Sequence, residues 1–144
     1  MVISTKINIM NTNKFIKGGI VASIVSFILA NLFYNFLFKT YFDANIYPTD
    51  FSTIKWWASI ASTLCWGFFI AYILEKVKVS TVASGATLAF IIALIVEANF
   101  DLGFYAVGVI YKDVTVIVAD VILTATIASI MGAAAIFVTN KTKA

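Results

Sequence analysis

The sequence predicts an all-α integral membrane protein, an antiparallel bundle of four transmembrane helices with both termini cytoplasmic. Three observations lead there. Apolar residues fill 62% of the 144 positions and charged ones only 12%, against about a half and a quarter in a soluble domain. Mean hydropathy is +1.00. Four predominantly apolar runs each reach the roughly 20 residues that a helix needs to cross a hydrocarbon core of about 30 Å. So much Phe, Ile, Val and Ala also excludes a disordered chain. No linker is long enough to divide residues 1–144, so one membrane domain is expected.

Residues 1–14 read as a polar N-terminal arm, and residues 18–38 as the first span, without a single charge from Gly18 to Phe38. That run exceeds the roughly 7–15 residues of a signal-peptide core, and no A-x-A-like site follows, so the helix is expected to be retained. Tyr41, Phe42, Tyr47, Phe51, Trp56 and Trp57 surround the next loop like an interfacial aromatic belt, and the single proline, Pro48, lies within it. The second span covers residues 56–74, entered through Lys55. The third covers 82–102, with continuation toward Ile110 left open because only Gly103 and Gly108 interrupt it. A turn at Tyr111 to Asp113 leads into the fourth, 114–138.

Lysines supply the orientation. Lys6, Lys14, Lys17, Lys76, Lys78, Lys141 and Lys143 fall on one side, and Lys39, Lys55 and Lys112 on the other beside Asp43, Asp50 and Asp113. The positive-inside rule then places both termini in the cytoplasm; the chain is expected to be integral to the plasma (inner) membrane of a prokaryote. The net charge of +3 is spread over segment ends rather than gathered into a patch, so no nucleic-acid partner is expected.

Lipid supplies no hydrophobic force between helices, and close approach depends on small residues. Gly85, Ala89 and Ala93 recur at four-residue spacing on the third span, and Ala125, Ser129 and Ala133 on the fourth, with Gly132 beside them. These stripes predict a close pair between the two spans, with self-association through the same stripes as the other possibility.

Ionisable groups inside a span cost about 2.5–3.5 kcal/mol at its centre, so each needs a reason. Glu97 and Asp101 are four residues apart on one helix face, Asp101 near headgroup level. Asp120 lies about two turns into the fourth span with Thr124 beneath it. Asn31 and Asn35 mark the first span, and Lys55, Ser59, Ser62 and Trp66 the second. Threaded through the topology, these stripes reach a similar depth, which predicts an outward-facing polar pocket lined by Asn31, Asn35, Ser59, Glu97, Asp101 and Asp120. Neighbouring carboxylates cannot all stay ionised there without a cation. Either a bound proton, metal ion or organic cation joins them, or Lys55, the asparagines and a protonated acid form an internal network that pins the helix register.

No catalytic machinery accompanies this cluster. The chain has no histidine, no arginine and one cysteine, which excludes imidazole-held haem, His-based zinc or copper, a histidine base, thiolate clusters and an intramolecular disulfide. Cys65 beside Trp66 reads as core. Neither a glycine-rich phosphate loop nor a metal-ligand spacing occurs, so no enzyme activity, cofactor or resident metal is expected. Two functions remain: an accessory or structural subunit of a larger membrane assembly, bound to homo- or hetero-oligomeric partners in the bilayer, or a small cation- or polar-ligand-binding or transport protein using the acidic pocket.

The stretch from Phe100 through Asp101, Leu102, Gly103, Phe104 and Tyr105 to Ala106, with Asp120 following 19 positions after Asp101, resembles the C-terminal half of a family of small four-span bacterial membrane proteins of no established function. Members of that family end the third span in a Tyr-Asp-Leu-Thr-Asn type motif and carry an aspartate early in the fourth. The resemblance covers about a third of the chain and carries over to Asp101, Leu102 and Asp120. Phe100 stands where the family has tyrosine, Gly103 and Phe104 where it has Thr-Asn, and its Trp-Gly after the final aspartate is absent. The resemblance implies the four-span architecture and a pairing of Asp101 with Asp120, and no activity.

Overall fold

The structure, a computed structural model, describes residues 10–48 and 55–141. The expected arm up to residue 9 with Lys6, the loop residues Asp50 and Phe51, and Lys143 lie outside them. Five α-helices and no strands are found among the described residues: α1 (Thr12–Leu32), α2 (Lys39–Asn45), α3 (Trp56–Lys76), α4 (Val82–Ala106) and α5 (Val114–Lys141). Four of them, α1 with its continuation and α3 to α5, are long and apolar enough to cross a membrane.

The ends of these helices follow from local chemistry. Asn11 and Thr81 cap α1 and α4 by accepting the backbone N–H groups of Lys14 and Ser84. Asp113 does the same for α5, taking the N–H groups of Thr115 and Val116 at 2.7 and 3.3 Å. α4 outlasts residue 102 because Gly103 stays helical, and it stops before Ile110 because Gly108 turns left-handed at φ +67°. Val109 N–H then donates to Phe104 O and Gly108 N–H to Tyr105 O, the paired bonds of a Schellman cap. α3 ends in the same way with Lys78 at φ +58° in the glycine position.

Two features depart from the pattern of four simple spans. α1 begins at Thr12, inside the expected arm, and continues as a π-helical turn over Phe33–Leu37, closed by Phe38 N–H donating to Phe33 O at 2.8 Å. The short α2 then occupies the loop that aromatic residues alone had marked. Its end is tied to the chain before α5 by an isolated antiparallel bridge between Ile46 and Tyr111, with Tyr47 N–H donating to Ile110 O and Lys112 N–H to Asn45 O. That tie is what holds Tyr111 over the ends of the helices.

α5 is the centre of the bundle, with twelve buried residues against five in α1 and four each in α3 and α4. It packs chiefly on α4 and α1; α1 packs on α3, and α3 barely meets α4. The α4–α5 contact is backbone-close at Gly85 and Gly132: a methyl group built on Gly132 would overlap the Gly85 carbonyl oxygen and approach Ala89 Cβ to 2.7 Å. Ala89, Ala93 and Ala125 are buried along this seam, whereas Ser129 and Ala133 are only half-buried, and Ala128 and Gly132 take the inward positions on α5. A second close approach sets Gly67 of α3 against Ser23 of α1. Large apolar side chains such as Ile24, Ile28, Phe36, Ile95 and Phe137 cover the outside, as a lipid-facing surface requires.

Candidate functional site

Helix periodicity puts Glu97 and Asp101 on one face of α4, and the close α4–α5 seam turns that face toward Asp120. One carboxylate oxygen from each of the three residues lies within 4.8 Å of the other two. Asp101 is 2% exposed and Asp120 8% exposed, both enclosed by protein. Glu97 is half-buried and faces a cavity.

Two tyrosines hold the aspartates. Tyr111 Oη stands 2.7 Å from Asp101 Oδ1 and 2.6 Å from Asp120 Oδ2. A phenol has one proton, so it donates to one carboxylate at a time, and the other short contact needs a second proton or a cation. Burial, and then the two carboxylates beside it, raise the Tyr111 phenol far above its ordinary range, so it stays a donor. Tyr34 donates to Asp120 Oδ1 and also meets Thr124 Oγ1 at 2.9 Å. Both oxygens of Asp120 are thereby engaged. Asp101 Oδ2 is the exception: it is buried and has no hydrogen-bond partner among the described residues.

Two cavities flank the cluster. The larger, about 570 Å³, fills the gap where α3 fails to close on α4; Glu97, Tyr34 and Thr124 line it together with Ser62, Thr63 and Cys65 of α3. The smaller, about 430 Å³, lies under α2, and Asp120, Tyr111, Tyr34 and Asn35 line it with the Lys39–Asp43 ion pair. Tyr34 is a wall of both. It sits in the π turn, where one extra residue per turn re-aims the side chains relative to a continuous α-helix.

Of the residues singled out from sequence, Glu97, Asp101 and Asp120 are brought together. Asn35 reaches the smaller cavity and donates to Asn31 Oδ1 at 3.1 Å, and Asn31 donates to Phe27 O at 2.7 Å. Ser59 and Lys55 are exposed and outside the lining of both cavities; α3 presents Ser62 and Thr63 instead. The Lys39–Asp43 pair is the only ion pair among the described residues, so Lys55 does not neutralise the acidic cluster. Sequence reasoning passed over Tyr34 and Tyr111. A tyrosine inside or bordering an apolar span is itself a signal, since its hydroxyl must find a partner away from water. No single segment shows a metal-ligand spacing because these donors come from two helices.

No protein-family model matches the chain, and neither a curated protein nor a solved structure is similar to it.

Proposed function

We propose that this chain is a small non-enzymatic membrane protein that binds a cationic species at the Glu97, Asp101 and Asp120 cluster, either to hold it or to pass it on. The observation that carries this reading is the convergence of three carboxylates with no lysine among them. Like charges this close in a low dielectric repel by several kcal/mol unless a positive charge or protons join them. The flanking cavities supply room for entry, one under the extramembrane helix α2 and one between α3 and α4.

The lysine distribution supports a bundle with both termini cytoplasmic and the cluster toward the outer side of the membrane. The resemblance of the Asp101 and Asp120 segments to the small four-span family agrees with a shared architecture. A second reading, an accessory subunit of a larger membrane assembly, is favoured by the Asn31–Asn35 ladder. Asn35 is exposed and its side chain bonds only to Asn31 of its own helix among the described residues, leaving polar capacity that suits a partner helix.

The test compares the melting of the detergent-solubilised wild type with that of Glu97→Gln/Asp120→Asn across sodium, potassium, calcium, manganese and tetramethylammonium salts and across pH. A binding site raises the wild-type melting temperature with at least one cation, or with protons, and the double variant loses that response. Equal responses in both proteins would overturn the cation reading. A heteromeric mass from gently extracted native membranes would then speak for the subunit reading.

A further inference from the structure

We propose that Glu97, Asp101 and Asp120 form a site for one divalent, oxygen-preferring metal ion of calcium-like size; this rests on the cation-binding reading above. Two independent observations support it. The first is the donor set. Three carboxylate oxygens from separate residues lie within 4.8 Å of one another, and the chain supplies neither histidine nor a second cysteine that would favour a softer metal. Two oxygens across a calcium ion stand roughly 4.6–5.2 Å apart at bond lengths of about 2.3–2.6 Å, and neighbouring ones closer. Calcium also tolerates irregular sets of roughly six to eight oxygens, whereas magnesium holds to a near-ideal octahedron at about 2.0–2.1 Å.

The second observation is Asp101 Oδ2. Its carboxylate is 2% exposed and spends one oxygen on Tyr111, yet leaves the other without a partner among the described residues. A buried acceptor left unmade costs free energy that native structures seldom leave uncompensated. Water-borne protons could quiet the charge, but a metal ion satisfies that lone pair and the repulsion from Glu97 and Asp120 at once. Tyr111 holds both aspartates and Tyr34 holds Asp120 by hydrogen bonds, the kind of outer-shell contact that orients carboxylate ligands. Glu97, with no hydrogen bond of its own among the described residues and facing the larger cavity, is the ligand free to swing onto an arriving ion.

The tyrosines also provide the readout. Terbium(III) replaces calcium at oxygen sites and emits when a nearby excited aromatic ring transfers energy to it, and Tyr111 lies against two of the three proposed ligands. Terbium chloride titrated into the full detergent-solubilised chain should give sensitised emission that calcium chloride competes away. Glu97→Gln, which keeps size and removes charge, should weaken terbium binding at least about tenfold, while Asp113→Asn, an acidic position outside the cluster, should leave it unchanged. Circular dichroism confirms that each variant is folded; if Glu97→Gln is not, Asp101→Asn takes its place in the same comparison. Absence of sensitised emission, or emission that is indifferent to Glu97→Gln, overturns the metal site. Protection by a monovalent or organic cation without any by calcium or terbium overturns this proposal and leaves the broader cation reading standing. Protection by no cation and by no change of pH removes both.

Discussion

Tyr111 shows how much one hydroxyl organises. It reaches Asp101 from ten residues away and Asp120 from nine, joining α4 to α5 through a single oxygen. Tyr111→Phe leaves the ring in its pocket with Phe42, Val116, Ile117 and Val121 but removes the donor from two buried carboxyls. We expect a loss of about 1–3 kcal/mol in detergent unfolding, the penalty for unsatisfied buried acceptors; a loss no larger than that of a surface substitution would show that the hydroxyl holds nothing. Asp113 offers a pH test. Bonds from the Thr115 side chain, then from the Thr115 backbone, depress its carboxyl below the ordinary value of 3.8. A depressed folded value means stability that is present above 3.8 and is lost as pH falls toward the folded value. The stability difference between wild type and Asp113→Asn, measured by melting at a series of pH values, should therefore be constant above about pH 5 and shrink as the buffer is acidified below 4. A difference that grows on acidification would contradict the capping role. Glu97, Asp101 and Asp120 were recognisable one by one because charge in an apolar run is costly. Asp101 Oδ2 and the roles of Tyr34 and Tyr111 were not, because each depends on what another helix brings opposite.

Among the elements, the α4–α5 pair carries the bundle, and glycine decides how close it comes. At Gly132 an added methyl meets the backbone of Gly85, which cannot rotate away as a flexible side chain would. At Gly103 nothing lies within 4 Å. The same substitution should thus have opposite signs at the two positions. Gly132→Ala should destabilise by about 1–3 kcal/mol through overpacking, and Gly103→Ala should stabilise by up to about 1 kcal/mol through helix propensity, both read from thermal melting in the same detergent. Equal effects at both would mean that the seam is looser than its geometry. Four-residue stripes on the two spans announced this pairing, and Gly85, Ala89, Ala93 and Ala125 lie on it. The actual inward line on α5 runs through Ala128 and Gly132 rather than through Ser129 and Ala133. A 3.6-residue helix drifts away from any strict four-residue count, and only the partner helix selects the row. The π turn at Phe33–Leu37 and the short α2 left no such periodic trace, since both depend on contacts with distant residues such as Ile110 and Tyr111.

For the molecule as a whole, the lysine count makes a claim about sides. Lys112 lies just before α5 and Asn140 in its last turn. In a Cys65→Ser background, Lys112→Cys should react with a membrane-impermeant thiol reagent applied from outside intact cells, and Asn140→Cys only after the membrane is opened. Reaction of both from the same side would refute a crossing by α5. Four apolar runs, their approximate limits and the cost of placing carboxyls within them were all readable from the sequence alone, because span length and the expense of charge in lipid are properties of one segment and its solvent. Only the tertiary structure decided which residues meet: that α3 stands away from α4 and leaves a cavity beside Glu97, that the loop before α5 folds Tyr111 over the aspartates, and that Lys55 stays outside. Those outcomes are set by interhelical fit at a few glycines and by a loop bridge of two backbone hydrogen bonds, interactions whose partners lie dozens of residues apart.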